Sequence, residues 1–132
     1  LVVKEHPVDK GSLLQWKFWE LLKRSSALFY LPAELHGRQV LAVAERVVTL
    51  TSSVGWEAAV TGKCVYVMGE IFYHHLPGVH EIGGWKELKA ALRRPVSETR
   101  RLKVEEAERF VAEVATISYP GNPFPHAKLY SR

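Results

Sequence analysis

The chain alternates short apolar runs with stretches in which apolar residues recur at helical spacing. Runs at 27–31, 47–50 and 64–68 are rich in β-branched and aromatic residues and are followed by turn-forming residues, so they predict strands. The opening Leu1-Val2-Val3 predicts the end of a further buried strand. Beyond Gly69 the Pro-Gly and Gly-Gly pairs predict a loop with a brief strand.

Five segments between and after these strands predict helices. Ser12 and Gln15 have capping-box spacing ahead of the first helix, which ends near Arg24. Its apolar stripe predicts a helix lying on a sheet and comprises Leu14, Phe18, Leu21 and Leu22. The other helices are predicted at 39–44, from Ser52-Ser53 to Val60 with closure at Thr61-Gly62, at Trp85–Arg93 before Pro95, and along a stripe from Val104 to Ile117.

The alternation of strand and helix predicts an α/β fold, a Rossmann-like three-layer domain in which helices flank a parallel sheet. We expect one domain over residues 1–119, followed by a Pro-rich C-terminal tail over residues 120–132. With 132 residues, of which 47% are hydrophobic, the chain is long enough to bury one sizeable core. Because it opens inside a predicted strand and without Met, we expect it to be part of a longer protein.

The charge, the cysteine content and the length of the apolar runs limit which partners and which location are expected. The net charge of +4 favours anionic ligands, but Lys and Arg are dispersed, so nucleic acid is not an expected partner. The single Cys64 has no intrachain disulfide partner and suits a reducing cytoplasm. No apolar run approaches the ~18 residues of a membrane span.

Two short segments follow predicted strands: a first string, Lys4-Glu5-His6-Pro7, and a second string, Thr51-Ser52-Ser53-Val54-Gly55-Trp56-Glu57-Ala58-Ala59. Both are expected at the edge where open α/β sheets bind ligands. In the second string, Ser52 and Ser53 begin a helix, whose free amides and positive dipole end attract phosphate, and Gly55 allows close approach of the backbone to a ligand. Glu57 lies one turn further, within reach of a ribose. The alternative interpretation is a plain N-cap with a first-turn acid that complements the helix dipole.

In the first string, His6 follows a strand directly, and Pro7 restricts it to extended geometry, so the imidazole is predicted to point outward from the sheet edge. An imidazole there can donate a hydrogen bond to a phosphate oxygen. Lys4 is a further candidate for the same anion. The alternatives are a structural histidine, and a lysine whose stem covers apolar surface while its ammonium stays in water.

Other chemistries find little support in the sequence. His74 and His75 are adjacent and, in a strand, would point to opposite faces, so neither metal nor another cofactor is expected. Asp9 is the only aspartate and no Gly-x-Ser-x-Gly occurs, which disfavours a Ser-His-Asp triad.

The two strings, taken with the residues that follow them, resemble the capsule polysaccharide biosynthesis and export family, which includes bacterial Kdo transferases. The resemblance covers about residues 1–95. The matching pieces are Lys4-Glu5-His6-Pro7, Thr51-Ser52-Ser53-Val54-Gly55-Trp56-Glu57-Ala58, Gly62-Lys63-Cys64-Val65-Tyr66-Val67-Met68-Gly69 and Phe72-Tyr73.

This resemblance implies the C-terminal, nucleotide-binding half of a GT-B glycosyltransferase with a CMP-linked donor, CMP-Kdo being favoured. It implies that His6 acts catalytically and that Ser52 and Ser53 meet the nucleotide. A glycan or glycolipid acceptor would bind a missing N-terminal domain, so these residues alone would bind nucleotide without turnover. The expected location is cytoplasmic, with peripheral contact to the inner membrane. A non-catalytic module of capsule export and half of a UDP-sugar epimerase remain alternatives.

Overall fold

The computed structural model describes residues 1–6 and 15–118 of the chain. The predicted alternation of strand and helix is confirmed over this part. In chain order the elements are β1 (Val2–Lys4), α1 (Trp16–Arg24), β2 (Phe29–Leu31), α2 (Gly37–Val43), β3 (Arg46–Thr49), α3 (Val54–Val60), β4 (Cys64–Val67), β5 (Val79–Glu81), α4 (Trp85–Arg93), a short 3₁₀ helix (Val96–Glu98) and α5 (Val104–Ile117).

All strand pairs in this part of the chain are parallel. Helices α1 and α3 make the crossovers from β1 to β2 and from β3 to β4, whereas residues 68–78 connect β4 to β5 without a helix. The strands form two sheets, a two-stranded sheet of β1 and β2 and a three-stranded sheet in the order β3-β4-β5. Arg46 pairs with Cys64 and Val65 with Val79, so the three strands of the larger sheet end at the same edge. The chain is an α/β Rossmann-like domain, as the sequence predicts.

The three layers are clearest around β4, whose four residues are all buried. Successive side chains of a strand point to opposite faces. Val65 and Val67 join a core that includes Phe110 of α5, while Cys64 and Tyr66 join a second core that includes Leu88 of α4. Helices therefore cover both faces of the central strand, which explains why its sequence is apolar without alternation.

The smaller sheet is covered on one face by α1. Tyr30 of β2 contacts Phe18 and Trp19 of α1, with ring centroids 6.0 and 6.3 Å apart. Val2 and Phe29 are partners in register on the opposite face, where they are 47% and 60% exposed. The prediction that the start of the chain is a buried strand is therefore wrong at Val2, which lies on the face away from α1, and at Leu1, which precedes the strand and is 77% exposed.

The stripe predicted for α1 is also only partly buried. Phe18 and Leu22 are half-buried, but Leu21 is 58% exposed. Since a helix turns about 100° per residue, Leu21 lies nearly opposite Trp19, which contacts the sheet. Leu14 and the predicted Ser12 cap lie outside the described residues.

Candidate functional site

The turn after β3 is closed by its own hydrogen bonds. The Ser52 amide donates to Thr49 Oγ1 at 3.3 Å, and Ser52 Oγ accepts from the Val54 amide at 3.3 Å. The Ser52 carbonyl accepts from the Gly55 amide at 3.1 Å. The turn thus presents a fixed backbone at the carboxyl end of β3.

The two serines have different roles in this turn. The prediction that Ser52 and Ser53 supply the cap of α3 is confirmed for Ser52 and wrong for Ser53, which makes no side-chain cap hydrogen bond. Its backbone is already helical, at φ −60° and ψ −18°, and the capping hydroxyl comes from Ser52. Ser53 is exposed, so its hydroxyl can meet a ligand.

The turn rests on Tyr73, a residue from the segment between β4 and β5. Tyr73 is 0% exposed and its hydroxyl donates to the Ser52 carbonyl. Burial raises the pKa of Tyr73, so the hydroxyl stays protonated and able to donate at neutral pH. A Cβ at Gly55 would lie 2.2 Å from Tyr73 Oη. The close approach predicted for Gly55 is therefore made to a buried tyrosine, and a contact of Gly55 with nucleotide stays a prediction.

Glu57 is half-buried on α3 and lies beside a cation that the sequence did not single out. Its Oε2 is 3.6 Å from Arg38 Nε, and the two side chains are 43% and 80% exposed. Such exposed pairs contribute only about 0–1 kcal/mol, so the pairing does not commit Glu57 to a structural role. Arg38 places a positive charge near the same end of α3.

The second candidate segment follows β1. Lys4 is the last residue of the strand, and its Nζ donates to the carbonyls of Glu5 at 2.8 Å and Ala33 at 3.5 Å. Lys4 thereby ties together the segments that follow β1 and β2. His6 is exposed just beyond it. Pro7 lies outside the described residues.

Glu5 lies between two candidate residues, and the sequence predicts no role for it. It is 3% exposed and accepts a hydrogen bond from Tyr30 Oη at 2.7 Å. This hydrogen bond, with smaller effects of burial and charge, raises the pKa of Tyr30. The two-residue period of a strand places Glu5 on the face of Val3, which is the signal that could have identified it as buried.

Both candidate segments therefore follow parallel strands at their carboxyl ends, but the strands belong to different sheets. That His6 and the two serines line one pocket stays a prediction. A groove of about 500 Å³ lies between α3 and α5, away from both candidate segments. It is lined by apolar side chains and Glu108, with no cation for a phosphate.

Three further observations concern metal binding, the His74 side chain and membrane-spanning helices. Within residues 1–6 and 15–118, no group of three or more His, Cys, Asp or Glu side chains is placed to hold a metal ion. His74 Nδ1 lies 2.5 Å from the Ile71 carbonyl, an interaction within its own turn. None of the helices in that same part of the chain has the length and apolarity needed to cross a membrane.

Comparison with known proteins gives one match. The sequence model of a family described as "Capsule polysaccharide biosynthesis protein" matches residues 1–120, which is most of the chain. No curated protein and no solved structure matches the chain.

Proposed function

Since the chain belongs to the capsule polysaccharide biosynthesis protein family, we propose that it binds the nucleotide-activated sugar donor in the synthesis of that polysaccharide. One observation carries the proposal: residues 4–6 and the Ser52-Ser53 turn each follow the carboxyl end of a parallel strand. Ligands of open α/β sheets bind in the crevice beyond those ends. The resemblance of the two segments to Kdo transferases makes CMP-Kdo the favoured donor.

In this proposal the Ser52-Ser53 turn holds the phosphate of the donor. Ser53 contributes an exposed hydroxyl, and the small Gly55 keeps the turn seated on Tyr73. Lys4, which holds the segment after β1 to that after β2, helps to present His6 to the same phosphate, and Pro7 is proposed as part of the same site. Glu57 accepts hydrogen bonds from the ribose hydroxyls, and Arg38, 3.6 Å away, balances its charge.

His6 is the residue that we propose to act catalytically. Transfer breaks the bond between the anomeric carbon of the sugar and a phosphate oxygen, and the electron pair leaves with CMP. Negative charge grows on that oxygen as the bond breaks, so a donor placed there stabilises the transition state more than the bound substrate. One such donor contributes roughly 3 kcal/mol in other enzymes.

The acceptor, a glycan or glycolipid, is bound in this proposal by a second domain of the GT-B type. The 132 residues alone then bind CMP but do not transfer sugar. We place this reaction in the cytoplasm, at the inner face of the membrane.

The proposal is tested by titrating the ¹⁵N-labelled chain with CMP, UMP and UDP. We expect CMP to shift the amide resonances of residues 4–6 and 52–57. His6→Ala and Ser53→Ala should each weaken CMP binding about tenfold or more, since hydrogen bonds to charged groups contribute about 1.5–3 kcal/mol. Ser97→Ala, an exposed serine on the 3₁₀ helix, serves as the matched control and should leave binding unchanged.

The same titration separates the alternatives. No shift with any of the three nucleotides would contradict a donor site and favour a non-catalytic module of capsule export. A preference for UDP would favour an epimerase-like function. Shifts confined to the groove between α3 and α5 would place the ligand away from the strand ends and refute the assignment of the site.

A further inference from the structure

A second binding feature lies at the carboxyl ends of β4 and β5. A cleft of about 360 Å³ opens there, within the range of about 300–1,000 Å³ usual for small-molecule sites. Its lining is divided between apolar side chains, two glycines and two carboxylates: Val67, Met68, Ile82, Gly69, Gly83, Glu81 and Glu87. Nothing in the phosphate and ribose contacts proposed above uses these residues.

The cleft adjoins the Ser52-Ser53 turn. A Cβ at Gly69 would lie 2.8 Å from Thr51 Cγ2 and 3.4 Å from the Leu50 carbonyl oxygen, so the segments after β3 and β4 are in contact. Backbone hydrogen bonds extend the pairing beyond the strand ends, from Met68 to Thr49 at 3.0 Å and from Ile82 to Val67 at 2.8 Å. One ligand of nucleotide size can therefore span the turn and the cleft.

The charge of the cleft decides which part of a nucleotide it accepts. Two carboxylates repel a phosphate, but they accept hydrogen bonds from an amino group. The Glu87 carboxylate is already held in place, because its Oε2 accepts from the Gly83 amide at 2.7 Å. Val67 and Ile82 are buried in the cores on the two faces of the sheet, so the half-buried Met68 is the apolar side chain of the cleft that can contact the flat face of a base.

We propose that this cleft binds the base of the donor nucleotide and that Glu81 and Glu87 select cytosine over uracil. Cytosine carries an exocyclic amine, which donates to a carboxylate, whereas uracil presents a carbonyl oxygen at the same position, which a carboxylate repels. The inference rests on the proposed function and adds to it the choice of base. It identifies specificity-determining residues that are separate from the phosphate contacts.

The test compares the affinities of CMP and UMP for the full 132-residue chain by isothermal titration calorimetry. Wild type should bind CMP at least tenfold more tightly than UMP, a difference of about 1.4 kcal/mol. The double variant Glu81→Gln/Glu87→Gln should lose that preference while retaining its affinity for UMP. Glutamine keeps an acceptor oxygen for the Gly83 amide, and a thermal unfolding curve checks the fold of the variant.

Glu113→Gln is the matched control, an exposed glutamate of α5 outside the cleft, and it should preserve the ratio. The inference is overturned if wild type binds CMP and UMP equally, or if the double variant keeps the wild-type ratio. In both cases nucleotide still binds, so the donor site stands. If neither CMP nor UMP binds, the donor site and the inference are overturned together.

Discussion

Replacement of Gly55 by alanine tests whether the turn after β3 depends on a buried tyrosine. A Cβ built on Gly55 lies 2.2 Å from Tyr73 Oη, 2.9 Å from Cζ and 3.0 Å from Cε2. Tyr73 is 0% exposed and its hydroxyl donates to the Ser52 carbonyl, so the ring has no open space into which it can turn. The added methyl group must displace either the tyrosine or the start of α3.

The magnitude follows from three terms. Overpacking of a well-packed core costs about 1–3 kcal/mol. Loss of the hydrogen bond between Tyr73 and Ser52 costs about 0.5–1.5 kcal/mol. Alanine is favoured over glycine in a helix by about 0.8–1.0 kcal/mol, which offsets part of that cost. The free energy of unfolding of Gly55→Ala should therefore fall by about 0.5–4 kcal/mol.

The assay is urea unfolding followed by circular dichroism, combined with the double variant Gly55→Ala/Tyr73→Phe. Removing the hydroxyl removes the nearest clashing atom, so the two substitutions should cost at least about 1 kcal/mol less together than the sum of the single costs. Gly37→Ala is the matched control. A Cβ at Gly37 meets nothing within 4 Å at the start of α2, so that variant should be as stable as wild type or more so.

The reasoning is refuted if Gly55→Ala is as stable as wild type, or if the two substitutions are simply additive. If the proposed donor site is correct, Gly55→Ala should also weaken CMP binding, because it moves the turn that carries both serines. Gly37→Ala should leave CMP binding intact.

Three further predictions concern stability. Arg46 donates to two carbonyls at the end of α4, each at 2.5 Å. Arg46→Met should therefore lower the free energy of unfolding, measured by urea unfolding, by about 1.5–3 kcal/mol, and an unchanged midpoint would contradict this. Burial and, to a lesser extent, Arg94 lower the pKa of His80, so the unfolded chain takes up this proton before the folded chain as pH falls below 6.5. Stability should fall there by at most about 1.4 kcal/mol per pH unit, and His80→Gln should make the dependence shallower; an identical slope would exclude His80 as its source. Tyr30→Phe removes a donor from the buried Glu5 and should cost about 1–3 kcal/mol, measured by thermal unfolding, where equal stability would show that this hydrogen bond is dispensable.

The sequence predicts most elements because their signals are local. The predicted limits of α4, Trp85 and Arg93, are those observed, since Gly84 and Pro95 bracket a segment with helical periodicity. Gly62 closes α3 with φ +73°, as the Thr-Gly pair indicates. β5 is harder to predict, because three residues are too few to establish a period of two.

The sequence predicts which segments reach the edge of a sheet, but not what supports them there. Ser52 and its supporting Tyr73 are 21 residues apart, and Arg46 reaches a carbonyl 46 residues away. No local period or spacing encodes such contacts, which depend on how the elements pack. For the same reason, the sequence predicts capping by Ser52 and Ser53 without distinguishing them, and the structure shows that the capping hydroxyl belongs to Ser52.

The distribution of charge at the strand ends gives the proposed nucleotide a direction. Lys4 and His6 lie at the carboxyl end of β1, and Arg38 of α2 lies 3.6 Å from Glu57 of α3. In the proposed function these cationic groups face the phosphate of the donor. Glu81 is the last residue of β5, an outer strand of the larger sheet, and Glu87 lies in the first turn of α4, which follows it. A ligand with an anionic end and an amino-bearing end is held in one orientation by these opposite charges, whereas the reverse orientation places phosphate against carboxylates. Two like unit charges 4 Å apart repel by about 4 kcal/mol near a protein surface, so the proposed orientation, with the phosphate towards His6 and away from Glu81 and Glu87, is the one that avoids this repulsion.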